Sequence, residues 1–254
     1  MDPPYHKSAE IFDPETGEWS PAGELNLSRR SHTATLLQDG RVLIAGGNGK
    51  RMIAEVWDPT DMSFTKTGSL NIPRADHQAI LLNDGRVLVM GGIGNRDSGE
   101  LWDSATGEFE SIAPMLEPRD EVKGAVLSDG RFLVSGGYNV NYGLNKTAEI
   151  YDPATDTWTA ISSLVDKRAN HTVTVLQDGR VLVTGGGKED GPYLKSAEIY
   201  DSESDTWTTA APMAISRHSH TATLLQDGRV LVVGGRGKRN NAEIFDPAAN
   251  TWTR

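Results

Sequence analysis

The chain has 254 residues, 37% of them hydrophobic and 24% charged, a globular composition that excludes a disordered polypeptide. It has no cysteine, which excludes disulfides, thiolate metal sites and cysteine nucleophiles, and 25 basic against 35 acidic residues give a net charge of −10 that opposes general nucleic-acid binding. Apolar runs stop after four residues, far short of the roughly 20 of a membrane span, and residues 1–10 lack the apolar stretch of a secretory signal, which leaves the compartment open.

In chain order, AEIFDP from Ala9 and the aromatic Trp19 read as two short strands over residues 8–20. From His32, HTATLLQDGRVLIAGG reads as two apolar runs, strands A and B, joined by Asp39-Gly40, for which a two-residue type I′ turn is expected. AEVWDP from Ala54 and then Phe64 supply strands C and D. The unit at 29–65 returns at 74–110, 119–159, 168–208 and 217–253, with DGRVLVMGG, DGRFLVSGG, DGRVLVTGG and DGRVLVVGG starting at Asp84, Asp129, Asp178 and Asp227. No stretch has the 3.6-residue apolar period of a substantial helix, so the fold class is all-β.

Four-stranded units at spacings of 45, 45, 49 and 49 residues fit a propeller. The Gly pair ending strand B, the aromatic of strand C (Phe12, Trp57, Trp102, Tyr151, Tyr200, Phe245) and the aromatic of strand D resemble the kelch family over residues 8–253. The resemblance implies a kelch-type β-propeller forming a single domain, 1–254. Five A–B hairpins against six C–D hairpins make five complete blades plus one C–D half-blade. A six-position ring is favoured over a closed five-blade ring, and a fragment of a longer protein is the third reading.

Residues present in every repeat answer to the shared geometry, so function is sought in the exceptions. The strand C and D aromatics are expected in the core between blades. Four histidines, His32, His77, His171 and His220, each follow an arginine by three residues and are read as scaffold, and the repeat glutamates Glu10, Glu55, Glu100, Glu149, Glu198 and Glu243 are expected to pair with repeat arginines. Against that background Tyr138, Tyr142 and Tyr193 stand out in the longer B–C loops, and Asp120 and Glu121 in the third repeat, where RDEVKG replaces the usual Arg-x-x-His-Thr. Phe132 merely replaces the valine that opens strand B.

The B–C loops carry nine basic residues against three acidic ones, so the opposite end of the blades is expected to be acidic. Repeats one and five share Gly-Gly-x-Gly-Lys-Arg, which places Lys50 and Arg51 in one loop and Arg236, Lys238 and Arg239 in the other. If ring geometry brings these repeats together, they converge with Arg30 and His218 of the D–A loops. Arg96 adds a further loop cation.

The leading expectation is a non-catalytic module that holds a protein or peptide, acidic by preference, or an anionic glycan, on the B–C and D–A loop face. The kelch resemblance implies this use; the residues offer no evident catalytic constellation, and no metal or cofactor is expected. Two alternatives stay open: a carbohydrate-binding or mutarotase-like kelch enzyme, and a structural repeat segment of a larger surface protein. Chemistry of the galactose-oxidase type is excluded, because its copper site needs a linked Cys–Tyr pair.

Overall fold

The strands form where the repeat places them. The computed structural model describes residues 6–48, 52–92, 96–139, 141–187, 191–236 and 241–254, which hold 24 strands and no helix. They divide into two compact units, 1–112 and 113–254.

In the first unit β1 (Ser8–Asp13) and β2 (Glu18–Glu24) form a two-stranded sheet. Blade one is β3 (Thr33–Leu36), β4 (Val42–Ala45), β5 (Ile53–Asp58) and β6 (Ser63–Ser69), and blade two is β7 (Gln78–Leu81), β8 (Val87–Met90), β9 (Gly99–Trp102) and β10 (Phe109–Ser111). Each is an antiparallel meander in sequence order. In the second unit blade three is β11 (Lys123–Val126), β12 (Phe132–Ser135), β15 (Ala148–Asp152) and β16 (Thr157–Ile161). A small hairpin, β13 (Tyr138–Asn139) with β14 (Gly143–Leu144), is inserted in its B–C loop and was not expected. Blade four is β17 (Thr172–Val175), β18 (Val181–Thr184), β19 (Ala197–Asp201) and β20 (Thr206–Ala210). Blade five is β21 (Thr221–Leu224), β22 (Val230–Val233), β23 (Ala242–Asp246) and β24 (Thr251–Thr253). Within each unit the A strands of successive blades are neighbours, β3 with β7, and β11 with β17 and β17 with β21.

The A–B turns differ from expectation. Leu37 N–H donates to the Arg41 carbonyl at 2.8 Å and Gly40 N–H to the Leu37 carbonyl at 3.2 Å, with φ of 88° at Gly40. This is a three-residue loop closed by a glycine bulge, in which glycine alone takes positive φ, whereas type I′ needs it at both central positions. The aspartate is retained because its carboxylate binds the arginine two residues on: Arg41, Arg86, Arg131 and Arg180 each lie 2.7 Å from the turn aspartate, and Arg229 lies 2.6 Å from Asp227. Each of the five turn aspartates is thus paired in place with an arginine of its own turn.

Blade packing buries one face of each sheet. Trp102, Tyr151, Tyr200 and Phe245 are at most 1% exposed, and Leu43, Ala45 and Leu70 of blade one form one cluster with Val87, Val89, Trp102 and Phe109 of blade two. Indole N–H groups tie a blade to the strand D end before it: Trp57 to the Ala22 carbonyl at 2.9 Å, Trp158 to Ala113 at 2.9 Å and Trp207 to Ser162 at 2.8 Å. The first sheet is the exception to the expected aromatic core: Phe12 is 46% and Trp19 65% exposed, since among the described residues of this unit no further sheet covers that face. Phe132 is fully buried, and a side chain at Gly124 would strike its ring, so the larger aromatic fills the space freed by the glycine across the strand pair.

The repeat arginines and glutamates pair as expected in all five blades. Arg29–Glu55 and Arg168–Glu198 lie at 2.5 Å, Arg217–Glu243 at 2.8 Å, Arg74–Glu100 at 3.1 Å, and Arg119 binds Glu149, every one of these side chains being almost fully buried. Each guanidinium also donates to a main-chain carbonyl of the Gly pair, as Arg29 does to Gly46 at 2.9 Å, and Arg29 donates further to the Ile53 carbonyl at the start of β5, also at 2.9 Å. Burial alone would raise the Glu55 carboxyl pKa, but hydrogen bonds from Asn26 and the Arg29 charge outweigh it and hold the pKa below the usual value.

Candidate functional site

Strand B ends in two glycines because the chain there runs against the D–A loop. A Cβ on Gly137 would lie 2.8 Å from the Asp120 carbonyl oxygen and 3.1 Å from Arg119 Cβ. That close approach allows a main-chain pairing: Asp120 N–H donates to Tyr138 at 2.7 Å and Tyr138 N–H to Asp120 at 2.9 Å. Asn48 donates in the same way to Arg30 at 3.0 Å, Gly187 to Ala169 at 2.9 Å and Arg236 to His218 at 2.9 Å. The next residue is left-handed in every blade, with φ between 52° and 54° at Ser31, Asp76, Glu121, Asn170 and Ser219. The backbone after the buried arginine is therefore held alike in each blade while its side chain varies: Arg30, Ala75, Asp120, Ala169, His218. Of these side chains Arg30 is exposed and Asp120 half-buried, whereas Ala75, Ala169 and His218 are buried.

In the first unit Arg30 is exposed, and its guanidinium faces the Asn48 amide at 2.7 and 3.1 Å once that amide turns its oxygen inward. Arg96 is half-buried. Lys50 and Arg51 lie outside the described residues.

In the second unit Tyr193, His218 and Arg236 come together. The Tyr193 and His218 rings are 4.2 Å apart between centroids and tilted by 49°, and the main chain of Arg236, whose side chain is exposed, is paired with that of His218. His218 is buried, with Nδ1 3.0 Å from Ser219 Oγ, so it supports the tyrosine rather than facing solvent. Lys238 and Arg239 lie outside the described residues. In blade three Tyr138 is half-buried in β13, and Tyr142, 80% exposed, stands over a cleft of about 200 Å³ lined by Glu117, Asn139, Asn145 and Lys167. Sequence reasoning missed Glu117, Asn139 and Lys167. They come from three separate segments, and the only signal was the lengthened loop itself.

Of the four repeat histidines three are structural, whereas His32 is exposed. Nε2 of His77 lies 2.9 Å from Thr33 Oγ1, that of His171 3.4 Å from Ser135 Oγ, and that of His220 3.0 Å from Thr184 Oγ1. Each thus binds a hydroxyl of the preceding blade rather than a main-chain group. Burial, reinforced by the neighbouring arginine, lowers the His77 pKa to about 4 and the His220 pKa to about 3, so both rings are neutral at pH 7.

The kelch motif matches residues 123–165 and 167–214. No curated protein matches the chain. Among solved structures it is similar to a novel fungal alcohol oxidase of the AA5 family in complex with copper, with a TM-score of 0.80 and 19% identity over 97% of this chain. It spans 57% of that oxidase. It is also similar to YjhT, with a TM-score of 0.74 and 12% identity over 100% of this chain and 98% of that one. Among the described residues no group of three or more His, Asp or Glu side chains could hold a metal ion, and the chain has no Cys. The chain thus carries kelch motifs at residues 123–165 and 167–214, and its four-stranded antiparallel sheets share the kelch-type β-propeller fold of these neighbours.

Proposed function

We propose that the chain is a non-catalytic binding module that holds an anionic ligand, an acidic peptide in the first place, on its B–C and D–A loop face. The observation that carries this reading is the repeat position whose backbone is constant and whose side chain differs from blade to blade. In blade five it assembles Tyr193 over His218 beside Arg236, and Lys238 and Arg239 follow in the same loop. An aromatic face beside guanidinium groups suits a carboxylate-bearing peptide. Arg30, Lys50, Arg51 and Arg96 supply cations to the same kind of loop in the first unit.

The test is to titrate acidic peptides and sialylated or sulfated glycans into the wild type and into a variant with Lys50, Arg51, Arg236, Lys238 and Arg239 neutralised. Binding that weakens as salt rises and collapses in the variant supports the reading. Unchanged binding in the variant defeats it. A second reading, favoured by exposed Tyr142 above its polar cleft, is a neutral carbohydrate stacked on that ring. Its signature is salt-independent binding lost in Tyr142→Ala.

A further inference from the structure

Three departures from the repeat meet at the cleft beneath Tyr142. The first is the β13–β14 hairpin, which the other B–C loops lack among the described residues and which brings Tyr142 and Leu144 to the cleft. The second is Glu117, two residues before the buried arginine, where blades one, two and five have Leu27, Ile72 and Ile215. The third is Lys167, directly before the buried arginine, where the other blades have Ser28, Pro73, Pro118 and Ser216. Glu117 lies on the D–A loop entering blade three and Lys167 on the one entering blade four, and both line the cleft. Asp166, at the position of Glu117 in blade four, is engaged elsewhere: its carboxylate accepts from Ser196 Oγ at 2.6 Å and lies 3.7 Å from Arg168.

The walls are fixed by the buried framework. The N–H groups of Leu116 and Glu117 donate to the Glu149 carboxylate at 2.7 and 3.1 Å, and those of Val165 and Asp166 to Glu198 at 2.6 and 3.1 Å. Leu164 N–H donates to the Lys146 carbonyl at 2.9 Å and Arg168 N–H to the Asn145 carbonyl at 3.0 Å, which fastens the hairpin loop to the second wall. The neutral polar groups of the lining are taken up by the same frame. Asn139 donates to the Pro118 carbonyl at 3.0 Å and accepts from the Asn141 N–H at 2.9 Å, and Asn145 Oδ1 accepts from the Lys146 and Thr147 N–H groups at 2.7 and 3.0 Å. The Thr147 hydroxyl accepts from Arg119 at 2.9 Å. The side chains of Glu117 and Lys167, by contrast, make no hydrogen bond or ion pair among the described residues.

What remains for a ligand is one carboxylate and one ammonium, each on its own loop, with the Tyr142 ring and Leu144 of the hairpin. A cleft of about 200 Å³ is smaller than the roughly 300 to 1,000 Å³ of pockets for drug-sized ligands and suits a molecule the size of a single residue. Opposite charges in one small cleft select an occupant that carries both, because a singly charged one strips water from the other group without giving it a partner. We propose that this cleft of blade three binds an α-amino acid with an aromatic or large aliphatic side chain as its zwitterion. The ligand ammonium meets Glu117, its carboxylate meets Lys167, and its side chain packs on Tyr142 and Leu144. The site uses a different blade from the Tyr193 cluster and stands whether or not that cluster binds anions. It sets a doubly charged occupant against the neutral sugar of the second reading.

The probe is L-phenylalanine, titrated into the intact chain while the Gly143 and Leu144 amides are followed by NMR. N-acetyl-L-phenylalanine, which lacks the ammonium, and L-phenylalaninamide, which lacks the carboxylate, are titrated beside it. The expected result is one saturable site with a Kd of about 1 mM or below, weakened by about tenfold for each blocked ligand. Glu117→Gln is expected to weaken phenylalanine and the amide but not the N-acetyl compound, and Lys167→Met to weaken phenylalanine and the N-acetyl compound but not the amide. Such ligand-specific coupling does not arise from a structural loss, which weakens all three alike. An unchanged urea midpoint verifies that both variants fold. No saturable shift at about 20 mM phenylalanine overturns the proposal. So does equal affinity for the blocked ligands, or an equal loss for all three in Glu117→Gln. Binding of methyl α-glucoside in place of phenylalanine assigns the cleft to a neutral sugar and overturns it as well.

Discussion

The buried Arg–Glu pair is the costliest polar element of each blade, and Glu198→Gln measures it. Glu198 is 1% exposed; its Oε1 takes Arg168 Nη2 at 2.5 Å and the Asp166 N–H at 3.1 Å, and its Oε2 takes the Val165 N–H at 2.6 Å. Glutamine keeps the shape but replaces one oxygen by an NH₂ group, so a donor faces a donor and the guanidinium loses its buried counter-charge. Arg168 then keeps neutral oxygens, the Gly185 carbonyl at 2.7 Å among them, and Asp166 at 3.7 Å. Removing one partner of such a buried pair costs about 3 to 5 kcal/mol, which at roughly 2 to 4 °C per kcal/mol for a chain of this size lowers Tm by about 6 to 20 °C. Glu10→Gln, at the matching but exposed position, changes stability by less than about 0.5 kcal/mol. Urea denaturation of both variants is the assay. A loss below about 1 kcal/mol at Glu198, or equal losses at the two sites, refutes the reasoning.

Trp158→Ala removes a ring that is 9% exposed, lies 5.0 Å from Tyr151 and bonds Ala113, and is expected to cost about 3 to 5 kcal/mol. Tyr142→Ala at an 80% exposed position leaves the urea midpoint nearly unchanged. Gly136→Ala drives a methyl into the Arg168 carbonyl and to 2.9 Å from His171 Cε1, at φ of 61°, and is expected to cost about 2 to 5 kcal/mol. Gly234→Ala, with nothing within 4 Å, carries only the left-handed backbone term of about 1 to 2 kcal/mol, and thermal melts separate the pair. The depressed His77 and His220 pKa values mean that below about pH 6.5 the unfolded chain takes up protons that the folded chain refuses until about pH 4 and 3. Stability is therefore full above pH 6.5 and falls as pH drops, by on the order of 1 to 2 kcal/mol per histidine by pH 5. Equal midpoints at pH 7.5 and 5 would exclude this coupling.

Strand type, blade count and the Arg–Glu partnership were legible in the sequence because they are one-dimensional signals. Apolar period marks each strand, and five copies of the arginine and glutamate, 26 or 30 residues apart according to the length of the B–C loop, expose a contact that a single copy would hide. The same subtraction singled out Tyr193, whereas Arg236 entered through the loop pattern shared by repeats one and five and His218 through its D–A loop. Only the tertiary structure decided that Tyr193 lies on His218 and that Tyr142 stands apart over Glu117, Asn139 and Lys167. Loop conformation depends on close approaches, such as the Gly137 backbone against Asp120, that no periodicity encodes. The turn was misread for a related reason: Asp-Gly is compatible with both loop lengths, and the pairing of Leu37 with Arg41 selects between them. Phe12 and Trp19 have the same local pattern as Tyr151 and Trp158 and yet are exposed, because burial belongs to the neighbouring sheet that a residue meets and not to the strand that carries it.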